Sequence, residues 1–236
     1  MGLITGKLAE LPASDIDLEQ TAELFGRVKE MLMGASELPF MTARIPSGGG
    51  IMFELPGDAP DQPDVSRDIT GIILSYHYVN EYYESNYSGG NASPDCVSRD
   101  GISGWDKDGM ENVCARCPKN RMGSASDGRG KACRNKVLLY VLREGEALPL
   151  QLKIPTMSVG NFTAYVLRQL VPRGLEPRQV ETRITLSKAT NKLGTVYSQA
   201  QFQAIARVDD EQLSKLWQGM APLIAPGEVN LLTEGD

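Results

Sequence analysis

Four cysteines, Cys96, Cys114, Cys117 and Cys133, constrain this chain more than any other feature. They are its only cysteines and fall in the pattern C-x17-C-x2-C-x15-C. The middle pair is a C-x2-C knuckle, the spacing that lets two thiolates grip one tetrahedral metal ion. Four thiolates would close the coordination shell of Zn2+, which makes such a site structural rather than catalytic. Two disulfides or four free thiols would use the same cysteines, and an iron–sulfur cluster the same ligands. Zinc is the commoner occupant of this spacing. The opening MGLITGKLAELPASD has neither a basic start nor an apolar run, and no stretch approaches the 18 apolar residues of a membrane span. The expectation is therefore a cytoplasmic protein, in a compartment where disulfides are uncommon.

The knuckle is ringed with bases. From Arg116 to Lys136 stand Arg116, Lys119, Arg121, Arg129, Lys131, Arg134 and Lys136 against the single acid Asp127, which is +7 − 1 = +6 in a chain of net charge −6. Four thiolates on Zn2+ carry −2 and reduce that surplus to about +4. A basic metal module in an acidic chain points to a polyanion, above all nucleic acid. The plainer alternative is a solvated face that offsets thiolate charge. The ends of the chain are acidic. Residues 1–68 hold 12 acids and 5 bases, and residues 209–236 hold 6 acids and 1 base. A solvated acidic terminus can compete for a basic groove or recruit a replication or recombination partner.

Periodicity predicts a helix over Ser14–Met33, with Leu18, Ala22, Phe25, Val28 and Leu32 on one stripe. Short strands follow near 40–45 and 51–55, then a loop over 57–64. A long strand runs from Ile69 to about Tyr83, apolar on both faces. Residues 88–132 are rich in Gly, Ser, Asp and Asn and cannot form their own apolar core. A metal would supply the missing ordering energy. Strands over 137–143 and 148–154 come next, then a helix over 158–170 with Phe162, Val166, Leu167 and Leu170 inward. A hairpin over 180–208 follows, and a helix over Asp209–Met220 ends the pattern. This predicts a mainly β, α+β fold with flanking helices: one domain over 1–236, an OB-like Greek-key barrel carrying a four-cysteine zinc-binding insertion over 88–136, with a flexible acidic tail over 226–236. A twisted α+β sheet would read similarly.

Five of the eight tyrosines, Tyr76, Tyr78, Tyr82, Tyr83 and Tyr87, stand within twelve positions before the insertion, and Trp105 lies inside it. Tyr76 and Tyr78 read as core on a barrel strand. Tyr82, Tyr83 and Tyr87 sit in polar sequence, so they and Trp105 are candidates for stacking bases, while the bases follow phosphates. Arg183, Lys188 and Lys192 are candidates to extend the groove. The lone His77 has no nucleophile motif beside it. Gly123–Lys131 fails as a P-loop, because Arg129 and Gly130 stand where Lys and Ser/Thr are required.

The runs Cys-Ala-Arg-Cys-Pro-Lys-Asn (114–120), Gly-Ser-Ala-Ser-Asp-Gly-Arg-Gly-Lys-Ala-Cys-Arg-Asn-Lys (123–136), Leu-Leu-Tyr-Val-Leu (138–142) and Thr-Arg-Ile-Thr-Leu-Ser-Lys-Ala-Thr-Asn-Lys (182–192) resemble a group of phage-associated proteins. The layout resembles phage single-stranded-DNA-binding proteins in which a zinc module decorates an OB-fold. That resemblance implies largely sequence-independent coating of single-stranded DNA in phage or mobile-element replication and recombination; the residues themselves leave the choice between DNA and RNA open. The chain departs from those proteins in having four cysteines without histidine and only a short acidic tail. Two other classes stay open: a zinc-stabilised adaptor or structural protein, and a nuclease using Asp95, Asp100, Asp106 and Asp108. Those acids lack a metal-binding spacing, so the expectation is a binding module without catalysis.

Overall fold

The computed structural model describes residues 9–10, 27, 40–59, 62–84, 93–146, 148–208, 211, 214 and 224 of the 236-residue chain. The helices expected over Ser14–Met33 and Asp209–Met220 lie outside the described residues, apart from the single helical positions Arg27, Glu211 and Ser214. Tyr87 and the tail 226–236 also lie outside them.

In chain order the strands are β1 (Ala9–Glu10), β2 (Thr42–Ala43), β3 (Phe53–Ala59), β4 (Gln62–Ser66), β5 (Asp68–Tyr82), β6 (Cys96–Ser98), β7 (Ser103–Asp106), β8 (Glu111–Val113), β9 (Arg134–Leu142) and β10 (Leu150–Ile154). Helix α1 (Thr156–Tyr165) follows, then β11 (Val180–Thr190) and β12 (Val196–Arg207). The fold is mainly β, as expected. Of the stretch 57–64, expected as a loop, residues 57–59 and 62–64 instead lie in the paired strands β3 and β4.

β5 organises the large sheet. It pairs β11 through residues 68–72, β9 through 72–81 and β6 through 80–82. Ile72 pairs both β11 and β9, and Asn80 pairs both β9 and β6. β11 and β6 therefore share one edge of β5, and β9 takes the other. The sheet continues from β9 to β10 and from β11 to β12. Among the described residues no ladder joins β10 to β12, so the expected closed barrel is not formed there. The free edges are capped instead, β10 by β2 and β12 by β1, both in parallel. Three short strands, β6, β7 and β8, extend the sheet from the far end of β5.

β9 explains its own unbroken apolar run. Val137, Leu139 and Val141 enter one buried cluster, together with Leu152, Phe162 and Ile184. Leu138, Tyr140 and Leu142 enter a second cluster with Leu74, Val79 and Ile224. A strand covered on both faces needs no polar alternation. Each fully buried aliphatic or aromatic side chain stabilises the fold by roughly 1.5–3 kcal/mol. Gly71 is required where β5 and β9 cross closely, since a Cβ there would stand 2.2 Å from the Leu142 carbonyl oxygen. Neither cluster includes a residue from 93–132.

A bulge between Ile73 and Ser75 re-phases β5. Beyond it Tyr76 and Tyr78 pair with Leu139 and Val137 and turn to the α1 side of the sheet. They are exposed there, at 39% and 43%, and not core as expected. Between Ile72, where the ladder to β11 ends, and Asn80, where the ladder to β6 begins, that edge of β5 has no paired strand among the described residues. Tyr76 leans edge-on against Phe162 at 5.0 Å between centroids. In the helix, Leu170 is buried as expected, but Leu167 is exposed. A π turn over Val166–Leu170 follows α1 and rotates its successors out of α-helical phase.

Candidate metal centre and nucleic-acid interface

The insertion begins where β5 ends. Tyr82 pairs with Cys96, and Cys96 pairs in turn with Asp106. Alternation along β6 places Cys96 and Ser98 on one face and Val97 on the other. Gly104 lies opposite Ser98, and its lack of a side chain opens the space the cysteines occupy. A Cβ at Gly104 would stand 3.1 Å from Cys96 Sγ and 3.5 Å from Cys114 Sγ.

Cys114 is anchored by donating its N–H to the Ile102 carbonyl at 2.7 Å. The knuckle then turns through Arg116 N–H on the Val113 carbonyl and Cys117 N–H on the Cys114 carbonyl. Asn120 Nδ2 donates to the same Cys114 carbonyl at 2.9 Å. Cys133 N–H donates to the Lys119 carbonyl at 2.9 Å. All four cysteines are free thiols and line one cavity of about 240 Å3. Burial, reinforced by the other three sulfurs, pushes the Cys133 thiol up to about 12. Burial and the neighbouring Cys114 and Cys117 also raise Cys96. Mutual repelling charge of this kind is what a divalent cation relieves. Among the described residues, however, no group of three or more His, Cys, Asp or Glu side chains is already set as a metal site. The donor set and the Gly104 cradle fit a metal, while the ligand shell itself is not drawn together.

Sheet register divides the candidate nucleic-acid residues between two faces, because directly paired residues share a face. The cysteine side carries Tyr82 and Lys119, whose Nζ donates to Tyr82 Oη at 2.9 Å and stands 4.7 Å from the ring centroid. Lys131 is on this side too. Its Nζ bridges Asn120 and Asn135 at 3.0 and 2.8 Å, and Asn135 donates to Asn80 of β5. Lys131 is thus a strut between insertion and sheet. The cavity here is acidic in balance, with Glu84, Asp95, Asp106 and Asp108 against Lys107 and Lys119.

The opposite face carries Trp105, Tyr83, Arg134 and Lys136. A row of paired residues crosses five strands in the order Arg134, Glu81, Val97, Trp105, Glu111. The Arg134 guanidinium stands 5.2 Å from the Tyr83 ring centroid. Lys136, expected as a phosphate contact, is instead half-buried and ion-paired with Glu81, which also takes Lys153 at 2.9 Å. Burial alone would raise the Glu81 carboxyl, but Lys153 and Lys136 outweigh it and hold it below its ordinary value.

Arg116, Arg121 and Arg129 are exposed and make no ion pair among the described residues. The hairpin bases stand elsewhere. Arg183 pairs with Thr70, twelve residues up β5 from Tyr82, or roughly 40 Å of strand at about 3.3 Å per residue. It is also ion-paired with Asp68. Lys188 and Lys192 lie further along the same hairpin, so these three bases do not join the insertion in one compact patch.

The carboxylates weighed for a nuclease are occupied by turns. Asp100 accepts from the Ile102 and Ser103 N–H groups at 2.7 and 2.9 Å, and Asp106 from those of Asp108 and Met110. Asp95 accepts from the Glu84 N–H, which holds its carboxyl below the usual range. His77 is partly buried beside Tyr140, and its Nδ1 has no hydrogen-bond partner among the described residues. Sequence reasoning missed the Gly104 cradle, the Asn80–Asn135–Lys131–Asn120 chain and the Glu81 ion triad. Their partners lie up to 72 residues apart, so no local pattern marks them. With no matching family model, curated protein or solved structure, what this chain does rests on that geometry alone.

Proposed function

We propose that this protein binds single-stranded nucleic acid, with little base preference, through a zinc-stapled insertion on an OB-like β domain. The observation that carries the reading is that four free cysteines line one cavity in a segment that also bears exposed bases and, on the opposite sheet face, an exposed tryptophan. Cys96, Cys114, Cys117 and Cys133 would hold the metal. The metal supplies cross-linking to a segment that contributes nothing to either apolar cluster. A four-thiolate shell leaves no open coordination position, so the site fits a staple and not a catalyst.

The order β5, β9, β10, then α1, then the β11–β12 hairpin returning to β5 supports an OB module with its insertion between the first two strands. Such modules are partly open and take oligonucleotides at the loop between those strands. Replication or recombination of a phage or mobile element, in the bacterial cytoplasm, is the setting this reading implies. A second reading, a protein-binding adaptor, is favoured by Ile102, Met110 and Met122, which are large, apolar and exposed on the insertion.

The test is elemental analysis of purified protein together with titration of fluorescent oligonucleotides at several salt concentrations. About one zinc per chain is expected, with single strands bound more tightly than duplex and affinity falling as salt rises. Two disulfides and no metal would sink the staple. No oligonucleotide binding at low salt would select the adaptor.

A further inference from the structure

Among the described residues, the two faces of the β6–β7–β8 extension differ in their chemistry. On the cysteine side the cavity holds four carboxylates against two ammonium groups, and one of these, Lys119, is occupied by Tyr82. Phosphates entering there would meet like charge at close range. Tyr82 presents no free ring on that side, since Lys119 stands over it.

The other face offers the reverse. Trp105 is 52% exposed in the fourth position of the five-strand row, with Val97 and Glu111 directly beside it. Three strand steps away in the same row, roughly 14 Å at about 4.8 Å per strand, Arg134 lies against the Tyr83 ring. A guanidinium on a tyrosine is itself a planar surface on which a base can stack while the charge meets phosphate. The acid between them, Glu81, is already neutralised by Lys136 and Lys153. The separation spans several stacking steps of about 3.4 Å, so the two positions would hold different bases of one strand.

We infer that the single strand lies across the sheet face turned away from the cysteines, with one base on Trp105 and another on the Arg134–Tyr83 pair. The inference rests on the single-strand binding proposed above and adds the face and the stacking residues. The ligand chemistry is a flexible polyanion with unpaired bases, which both single-stranded DNA and RNA present.

The experiment follows Trp105 emission and oligonucleotide anisotropy in the full-length protein, with dT and rU oligomers of about 12 nucleotides as separate arms. Quenching is expected in the wild type and its oligomer-dependent part is lost in Trp105→Phe. Trp105→Ala and Arg134→Ala each weaken binding roughly tenfold. Lys107→Ala, which removes a base from the cysteine-side cavity, leaves affinity within about twofold. Quenching by dT alone or rU alone assigns the strand type, and quenching by both assigns a site indifferent to the sugar. Wild-type binding that survives Trp105→Ala unchanged, with no quenching, overturns the inference and leaves the function standing. Failure of the wild type to bind either oligomer at low salt overturns both.

Discussion

Among single residues, Glu81 has the largest calculable consequence. It is 6% exposed and holds two ammonium groups, one of them itself half-buried. Burial lowers Lys136 from its ordinary value while Glu81 opposes that shift, so removing the carboxylate leaves a poorly solvated charge without its partner. Glu81→Ala should cost about 3 kcal/mol by urea unfolding at neutral pH. Breaking the exposed Lys107–Glu84 pair should leave the unfolding midpoint nearly unchanged, because solvent and salt screen it. The pH dependence follows from the depressed Glu81 value. Its contribution is fully present above its unfolded value near 4.5 and is lost as pH falls below it. Wild-type Tm should therefore decline more steeply below about pH 4.5 than that of Glu81→Gln. Parallel declines in the two proteins would contradict the ion triad. A carboxylate at position 81 reads in the sequence as one acid in a polar run, because Lys136 and Lys153 reach it only through sheet pairing.

At the scale of elements, the long strands were legible and the insertion only in part. β11 shows why: Val180, Thr182, Ile184 and Leu186 are buried, as their alternation predicts. β6, β7 and β8 have three or four residues each, too few for a period to register. The β3–β4 hairpin was hidden by Pro56, Gly57, Asp58 and Pro63, which read as turn residues although they stand in paired strands. Tyr76 and Tyr78 were misplaced because a bulge and an interrupted edge are long-range properties of β5. The cysteines fall in a segment that adds no residue to either apolar cluster, and Gly104 provides a test of how closely the sulfurs converge. Gly104→Ala should lower zinc content and expose residues 93–132 to limited proteolysis, as should Cys117→Ser. The β5–β9–β10 core should keep its cooperative transition in both variants, since neither apolar cluster draws on the insertion. A variant that retains full zinc with alanine at 104 would show that the thiols do not meet beside β7.

Across the whole molecule, charge segregation was visible in the sequence, but the distances that decide its use were not. The middle of the chain is basic between acidic ends, which suggests one groove running from the insertion to Arg183, Lys188 and Lys192. Register along β5 separates those hairpin bases from the insertion by roughly 40 Å. That exceeds the Debye length of about 8 Å at physiological salt several-fold, so the two basic regions act independently on a short ligand. Each phosphate contact on a single strand contributes about 0.7 to the slope of log K against log salt. Arg134→Ala should therefore reduce that slope by about 0.7 for an oligonucleotide of about 6 nucleotides. Lys188→Ala combined with Lys192→Ala should leave both the slope and the affinity for the same oligonucleotide unchanged. Titration of the three proteins over a salt series measures this directly. Equal losses of slope from both sites would mean that the hairpin and the insertion share one phosphate path, and that the bound strand is ordered along the full length of β5.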